Sequence, residues 1–149
     1  MLQTQAAALV ASEPLMQSLT ARYVESYDSL GALISRLLAD KFGCSDVGCD
    51  VFHQTFVTLY RQQPALADLA ARDLCAILRD DPAAQNHLSS LFFYKGYQAL
   101  QGYRLAHALW LANRQPLALF IQSRMSEVYA IDIHPAARIG AGITLDHAT

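Results

Sequence analysis

Charge is scarce in this sequence: Asp, Glu, Lys and Arg make up 16% of its 149 residues, and the formal net charge is −2. It has no run of Lys or Arg, which excludes the electrostatic footprint of a nucleic-acid-binding protein. Cysteine is also sparse, with only Cys44, Cys49 and Cys75. Three thiols without a second pair of ligands neither build a disulfide framework nor complete a four-ligand zinc site; they fit reduced cysteines in a cytoplasmic protein and predict no metal. No apolar run reaches the roughly 20 residues that a membrane span needs. The N-terminus lacks the basic flank of a secretory signal, because the first Lys or Arg is Arg22, well after Ala6-Ala7-Ala8-Leu9-Val10. Apolar residues, by contrast, are plentiful at 53%. That content excludes disorder, supplies the core of a single domain and leaves surplus apolar surface suited to oligomer contacts.

The first 130 residues read as helices. Residues 2–10 form a short one. Ser12-Glu13-Pro14 is a start signal with Ser12 as cap, and Leu15, Leu19 and Tyr23 follow as an amphipathic stripe. Asp28 or Ser29 caps a helix carrying Leu30, Leu33, Ile34, Leu37 and Leu38, with Gly43 as its stop. The next helix carries Val51, Phe52, Phe56 and Leu59. Pro64 opens another, with Leu66, Leu69, Ala70, Leu74, Ile77 and Leu78 inward. Asp81 precedes Pro82, so that helix ends there. A long helix over 93–112 and a last one over 116–129 complete the set, separated by Asn113-Arg114-Gln115-Pro116.

After Tyr129 the periodicity changes. Ile133, Ile139 and Leu145 recur every sixth position, alongside Ala137, Ile143 and Thr149. A period of six fits neither helix nor plain strand but suits a parallel β-helix, whose short flat strands each turn one aliphatic residue inward. Gly140 and Gly142 suit its corners, while Asp132, His134, Asp146 and His147 fall at outward or corner positions. The expected architecture is therefore mainly α: a helical domain over 1–130, then the first coil of a left-handed β-helix over 131–149. One coil cannot bury its own apolar face, and about three are needed for stability. The chain is therefore expected to be the front part of a longer protein, truncated at Thr149.

Two blocks in this order carry a family resemblance. Asp132-Ile133-His134-Pro135-Ala136-Ala137, Ile139-Gly140 and Leu145-Asp146-His147-Ala148-Thr149 form one; Tyr94-Lys95-Gly96-Tyr97-Gln98-Ala99-Leu100-Gln101-Gly102-Tyr103-Arg104, continuing through His107-Ala108-Leu109-Trp110, forms the other. Both resemble serine O-acetyltransferase, which makes O-acetyl-L-serine and CoA from acetyl-CoA and L-serine at the start of cysteine biosynthesis. The matching motifs extend over about 81–149.

Acetyl transfer to a hydroxyl needs a general base to remove its proton, and histidine has the right pKa near 6.5. A carboxylate on the other ring nitrogen fixes the tautomer. The resemblance implies His147 as that base and Asp132 as the carboxylate orienting it. It implies Asp81 and Asp146 as ligands of the serine ammonium and hydroxyl, with Asp80 as a competing register for Asp81. It also implies inhibition by L-cysteine in the same pocket, and assembly of the helical domains into a dimer of trimers. A C-terminal tail beyond this chain would bind O-acetylserine sulfhydrylase. The second active-site histidine, its neighbouring arginine and most of the acetyl-CoA site would lie on later coils, so this chain holds no cofactor-binding residue and is expected to lack turnover alone. Gln98 stands where the family commonly has histidine. His107, with Tyr103 and Trp110 at helical spacing, reads as a packing residue, and His134 as a structural one. Two other readings remain: a hexapeptide-repeat acyltransferase with a different acceptor, and a helical oligomerisation module.

Overall fold

The computed structural model describes residues 1–148. Among them eight α-helices form: α1 (Leu2–Ser12), α2 (Gln17–Thr20), α3 (Leu30–Phe42), α4 (Cys49–Gln62), α5 (Ala65–Asp80), α6 (His87–Phe93), α7 (Lys95–Leu111) and α8 (Gln115–Tyr129). None is long and apolar enough to cross a membrane. The helices surround α7, which is buried on nearly every side. Small residues make this possible. At Gly102 a β-carbon would lie 2.8 Å from Met125 of α8 and 2.9 Å from Phe42 of α3.

Phe42, the last residue of α3, anchors the core. Its ring meets Phe52, Phe56 and Tyr129 edge-on, at centroid distances of 6.3, 6.3 and 5.9 Å, a favoured geometry for aromatic pairs. The carbonyl it leaves unpaired at the helix end accepts from Arg124 Nε at 2.9 Å. At the other end of α3, Ser29 Oγ accepts from the Ala32 N–H at 3.2 Å, so Ser29 rather than Asp28 is the cap.

Three helix expectations need correcting. Glu13, not Ser12, caps the turn that Pro14 opens, and its carboxylate accepts from the Leu15 N–H; the Ser12 hydroxyl instead donates back to the Leu9 carbonyl. The segment after it is no continuous helix. It passes from a 3₁₀ turn (Pro14–Met16) through α2 to a π turn (Ala21–Glu25), which leaves Leu15 exposed while burying Tyr23. The helix expected over 93–112 starts earlier, at His87, and breaks at Tyr94, whose backbone is extended (φ −93°, ψ 102°). A break frees carbonyls at the end of α6. The Gln98 side chain fills them, donating to the Leu91 and Phe92 carbonyls at 3.0 and 2.8 Å, and its own oxygen accepts from Tyr129 Oη at 2.9 Å.

Beyond α8, Ala130 takes a left-handed conformation (φ 58°) and the chain runs on without helix or strand through the rest of the described residues. The segment expected to form the first coil thus carries no strand among the described residues. A strand is defined by its ladder to a neighbouring strand, and the segment meets no such neighbour within the described residues. The spacing of six still sets which side chains turn inward. Ile133, Ala137, Ile139, Ile143 and Leu145 pack against the helical core, while Asp132, His134, Asp146 and His147 are exposed. Gly142 is the corner that needs positive φ (70°); Gly140 does not. The sixth member of the aliphatic series, Thr149, lies outside the described residues.

Candidate active-site cleft

The extended segment lies along α7, fixed by four side chains of that helix. The Tyr103 hydroxyl donates to the Ala137 carbonyl and accepts from the Ile139 N–H. His107 Nδ1 lies 2.7 Å from the Pro135 carbonyl; a carbonyl can only accept, so this nitrogen carries the hydrogen. Trp110 meets the His134 ring edge-on at 5.1 Å, and His134 Nδ1 accepts from the Ala136 N–H. Both histidines thus have structural partners, in line with the sequence reading.

Arg104 supplies the fourth contact, with an unanticipated partner, Asp73 of α5. The guanidinium donates through Nε and one terminal nitrogen to both Asp73 oxygens, at 2.6 and 2.8 Å, and through the same terminal nitrogen to the Gly140 carbonyl at 2.8 Å. Asp73 also accepts from Gln101 Nε2 at 3.1 Å and from the Gly142 and Ile143 N–H groups at 2.9 and 3.1 Å. Its side chain is 0% exposed and that of Arg104 4%. A sequence signal for this was present. Asp73 lies between Ala70 and Ile77 on the inward stripe of α5, so a charge there needs a buried partner.

The N-terminus of α7 forms the floor of a cleft of about 300 Å³, lined by Asp81, Ala83, Phe93, Tyr94, Lys95, Gly96, Leu145, Asp146 and His147. Leu145 reaches it because residue 96 is glycine: a β-carbon there would stand 2.1 Å from the Leu145 carbonyl oxygen. Asp81 enters from the end of α5, where its extended backbone stops the helix and its carboxylate accepts from the Ala83 N–H at 2.8 Å. Tyr94 enters because the break between α6 and α7 turns it there. Burial, and then the charges of Asp81 and Asp146, push its phenol above the usual tyrosine range. His147 takes a left-handed backbone (φ 52°), rare without a glycine, and its Nε2 lies 3.4 Å from Asp146 Oδ1.

The structure therefore brings three sequence-selected residues together, Asp81, Asp146 and His147. The fourth, Asp132, does not line the cleft; its carboxylate accepts from Gln122 of α8, and the charge nearest the imidazole is Asp146. Asp80, the competing register for Asp81, points elsewhere. It is held by Arg79 in a two-pronged ion pair at 2.6 and 2.7 Å, which lowers its pKa, and it receives a long contact from Thr144. Sequence reading missed Tyr94 and Lys95 as wall residues, since the break that aims them depends on Gln98. Among the described residues, no three His, Cys, Asp or Glu side chains are placed to hold a metal ion. The cleft thus gathers two carboxylates, Asp81 and Asp146, the Lys95 ammonium and the His147 imidazole.

Comparison with known proteins places the chain among its relatives. A family profile described as "Serine acetyltransferase, N-terminal" matches residues 1–102. Serine acetyltransferase of Haemophilus influenzae is 36% identical over 148 residues, covering 99% of this chain and 55% of the relative. The crystal structure of serine acetyltransferase from Neisseria gonorrhoeae in complex with serine superposes with a TM-score of 0.96 at 36% identity, covering 99% of this chain and 61% of that one. A serine acetyltransferase in complex with CoA gives the same score and identity, with 63% of its chain covered. The chain thus spans a little over half the length of its curated relatives.

Proposed function

The chain belongs to the serine acetyltransferase family, and from that premise we propose that it provides the helical domain and the acceptor side of a serine O-acetyltransferase. The observation that carries this reading is the convergence of Asp81, from the end of α5, with Asp146 and His147, from the extended segment, in one cleft. The two carboxylates hold the ammonium of L-serine and direct its hydroxyl toward His147. The imidazole removes the hydroxyl proton as the oxygen attacks the acetyl thioester; the carbon–sulfur bond breaks, the imidazolium returns its proton to the departing sulfur, and O-acetyl-L-serine and CoA thiol form. Asp132 orients the imidazole once residues 131–149 close as the first coil of a left-handed β-helix and further coils stack upon it. Acetyl-CoA binds mainly to those later coils. L-Cysteine, close to serine in shape, competes for the same cleft.

The wider reading follows the family. The protein acts in the cytoplasm, its helical domains join trimers in pairs, and a tail beyond this chain engages the sulfhydrylase. The exposed apolar side chains Val51, Leu111 and Leu119 support a contact role for the helical domain. The decisive experiment has two arms. L-Serine is titrated into the 149-residue chain with the cleft amides followed by NMR, and CoA release is measured in the same protein extended by the rest of the β-helix. Shifts at Asp81, Gly96 and Asp146, displaced by L-cysteine, and serine-dependent CoA release that His147→Ala lowers by about 10²–10⁴-fold are expected. Rapid turnover with a different hydroxyl or amine acceptor, and none with serine, would overturn the acceptor assignment.

A further inference from the structure

We propose that Asp73 and Arg104 are positioning residues for the cleft, holding the Gly140–Ile143 corner so that Asp146 and His147 stand opposite Asp81. The inference rests on the serine-binding reading of that cleft. It starts from the chemistry of the pair. Each group is almost fully removed from water, and a buried charge is tolerable only when its hydrogen-bonding capacity is filled. The helices fill part of it: Arg104 and Gln101 donate to Asp73 from α7. The remainder comes from the segment itself, through the Gly142 and Ile143 N–H groups to Asp73 and the Gly140 carbonyl to Arg104.

Lifting the corner off would leave one carboxylate oxygen short of two donors and the guanidinium short of an acceptor, inside the protein. Charge-assisted bonds of this kind are stronger than neutral ones. The corner is therefore clamped from both ends of its backbone polarity. Leu145 follows within two residues and is seated at Gly96, so the position of Asp146 and His147 is set by two fixed points in succession. The segment makes no strand ladder within the described residues, so this clamp and the Tyr103 and His107 contacts replace the ladder as its restraint.

The test uses Asp73→Leu combined with Arg104→Met, which removes the clamp without leaving either charge stranded. Helix content and amide protection in α3, α7 and α8 should persist, while the Gly142 and Ile143 amides exchange much faster. The dissociation constant for L-serine should rise on the order of tenfold, as expected when one charge-assisted contact to the ligand is lost. Unchanged exchange at Gly142 and Ile143 together with unchanged serine affinity would overturn the proposal. If the double variant does not fold, Arg104→Lys decides by the same two readouts. It keeps a charge beside Asp73 but loses the two-pronged geometry and the Gly140 bond, and should give a smaller loss in the same direction; wild-type behaviour in that variant would overturn the clamp. If the unmodified chain binds no serine, the acceptor reading fails, while the exchange measurement still judges the clamp.

Discussion

Asp73 and Arg104 form a two-pronged ion pair between α5 and α7 that is closed to solvent and completed by backbone groups of the segment following α8. Removing one partner leaves the other charged and buried. Arg104→Met alone is expected to cost about 3–5 kcal/mol, whereas the double replacement costs less, because no uncompensated charge remains. Urea unfolding of the two single variants and the double variant, analysed as a mutant cycle, checks this. Additive costs would show that the pair is not coupled.

Gly96 is required by contact rather than by backbone conformation. A methyl at residue 96 would overlap the Leu145 carbonyl, 2.1 Å from the ideal β-carbon position. Gly96→Ala should therefore push Leu145, Asp146 and His147 outward, at a cost of about 1–3 kcal/mol for the forced repacking. The denaturation midpoint should fall, and serine affinity should fall with it. A variant with wild-type serine affinity would show that the Leu145 seat does not shape the cleft.

The neighbouring aspartates at the end of α5 should behave differently. Asp81 lines the cleft, whereas Asp80 is exposed and engaged by Arg79. Asp81→Asn should weaken serine binding by about 10–100-fold, the loss of one charged hydrogen bond to an ammonium. Asp80→Asn should change it little, since its carboxylate is held by Arg79 and does not line the cleft. Isothermal titration of both variants decides between the two registers.

Alkali should destabilise the fold before it affects the ion pairs. Burial pushes the phenols of Tyr97 and Tyr129 well above the usual value of 10.0. The folded state then keeps these protons at a pH where the unfolded chain has released them. Their contribution is complete below pH 10 and is lost as the pH climbs above it. The urea midpoint should therefore drop between pH 9 and pH 11, and less steeply in Tyr129→Phe. That variant should also lose about 1 kcal/mol at neutral pH, because its hydroxyl donates to Gln98. A midpoint insensitive to pH over this range would contradict the assignment.

The main helices were legible because their apolar residues keep a helical period and their ends carry local signals: Ser29 at the start of α3, Pro64 before α5, Asp81 before Pro82. Asp81, Asp146 and His147, singled out by the family resemblance, line one cleft, and the spacing of six marked which residues of the segment face inward. The sequence alone therefore determined a helical domain and the change of pattern after Tyr129. Tertiary structure decided the rest. The break at Tyr94 exists because Gln98 and Tyr129 satisfy the carbonyls it frees, partners that no local propensity reveals. The place of the extended segment exists because a buried charge on α5 finds its last donors there. Local sequence fixes which conformations a stretch of backbone favours; whether a buried polar group is satisfied depends on residues far along the chain, and only the folded arrangement brings those together.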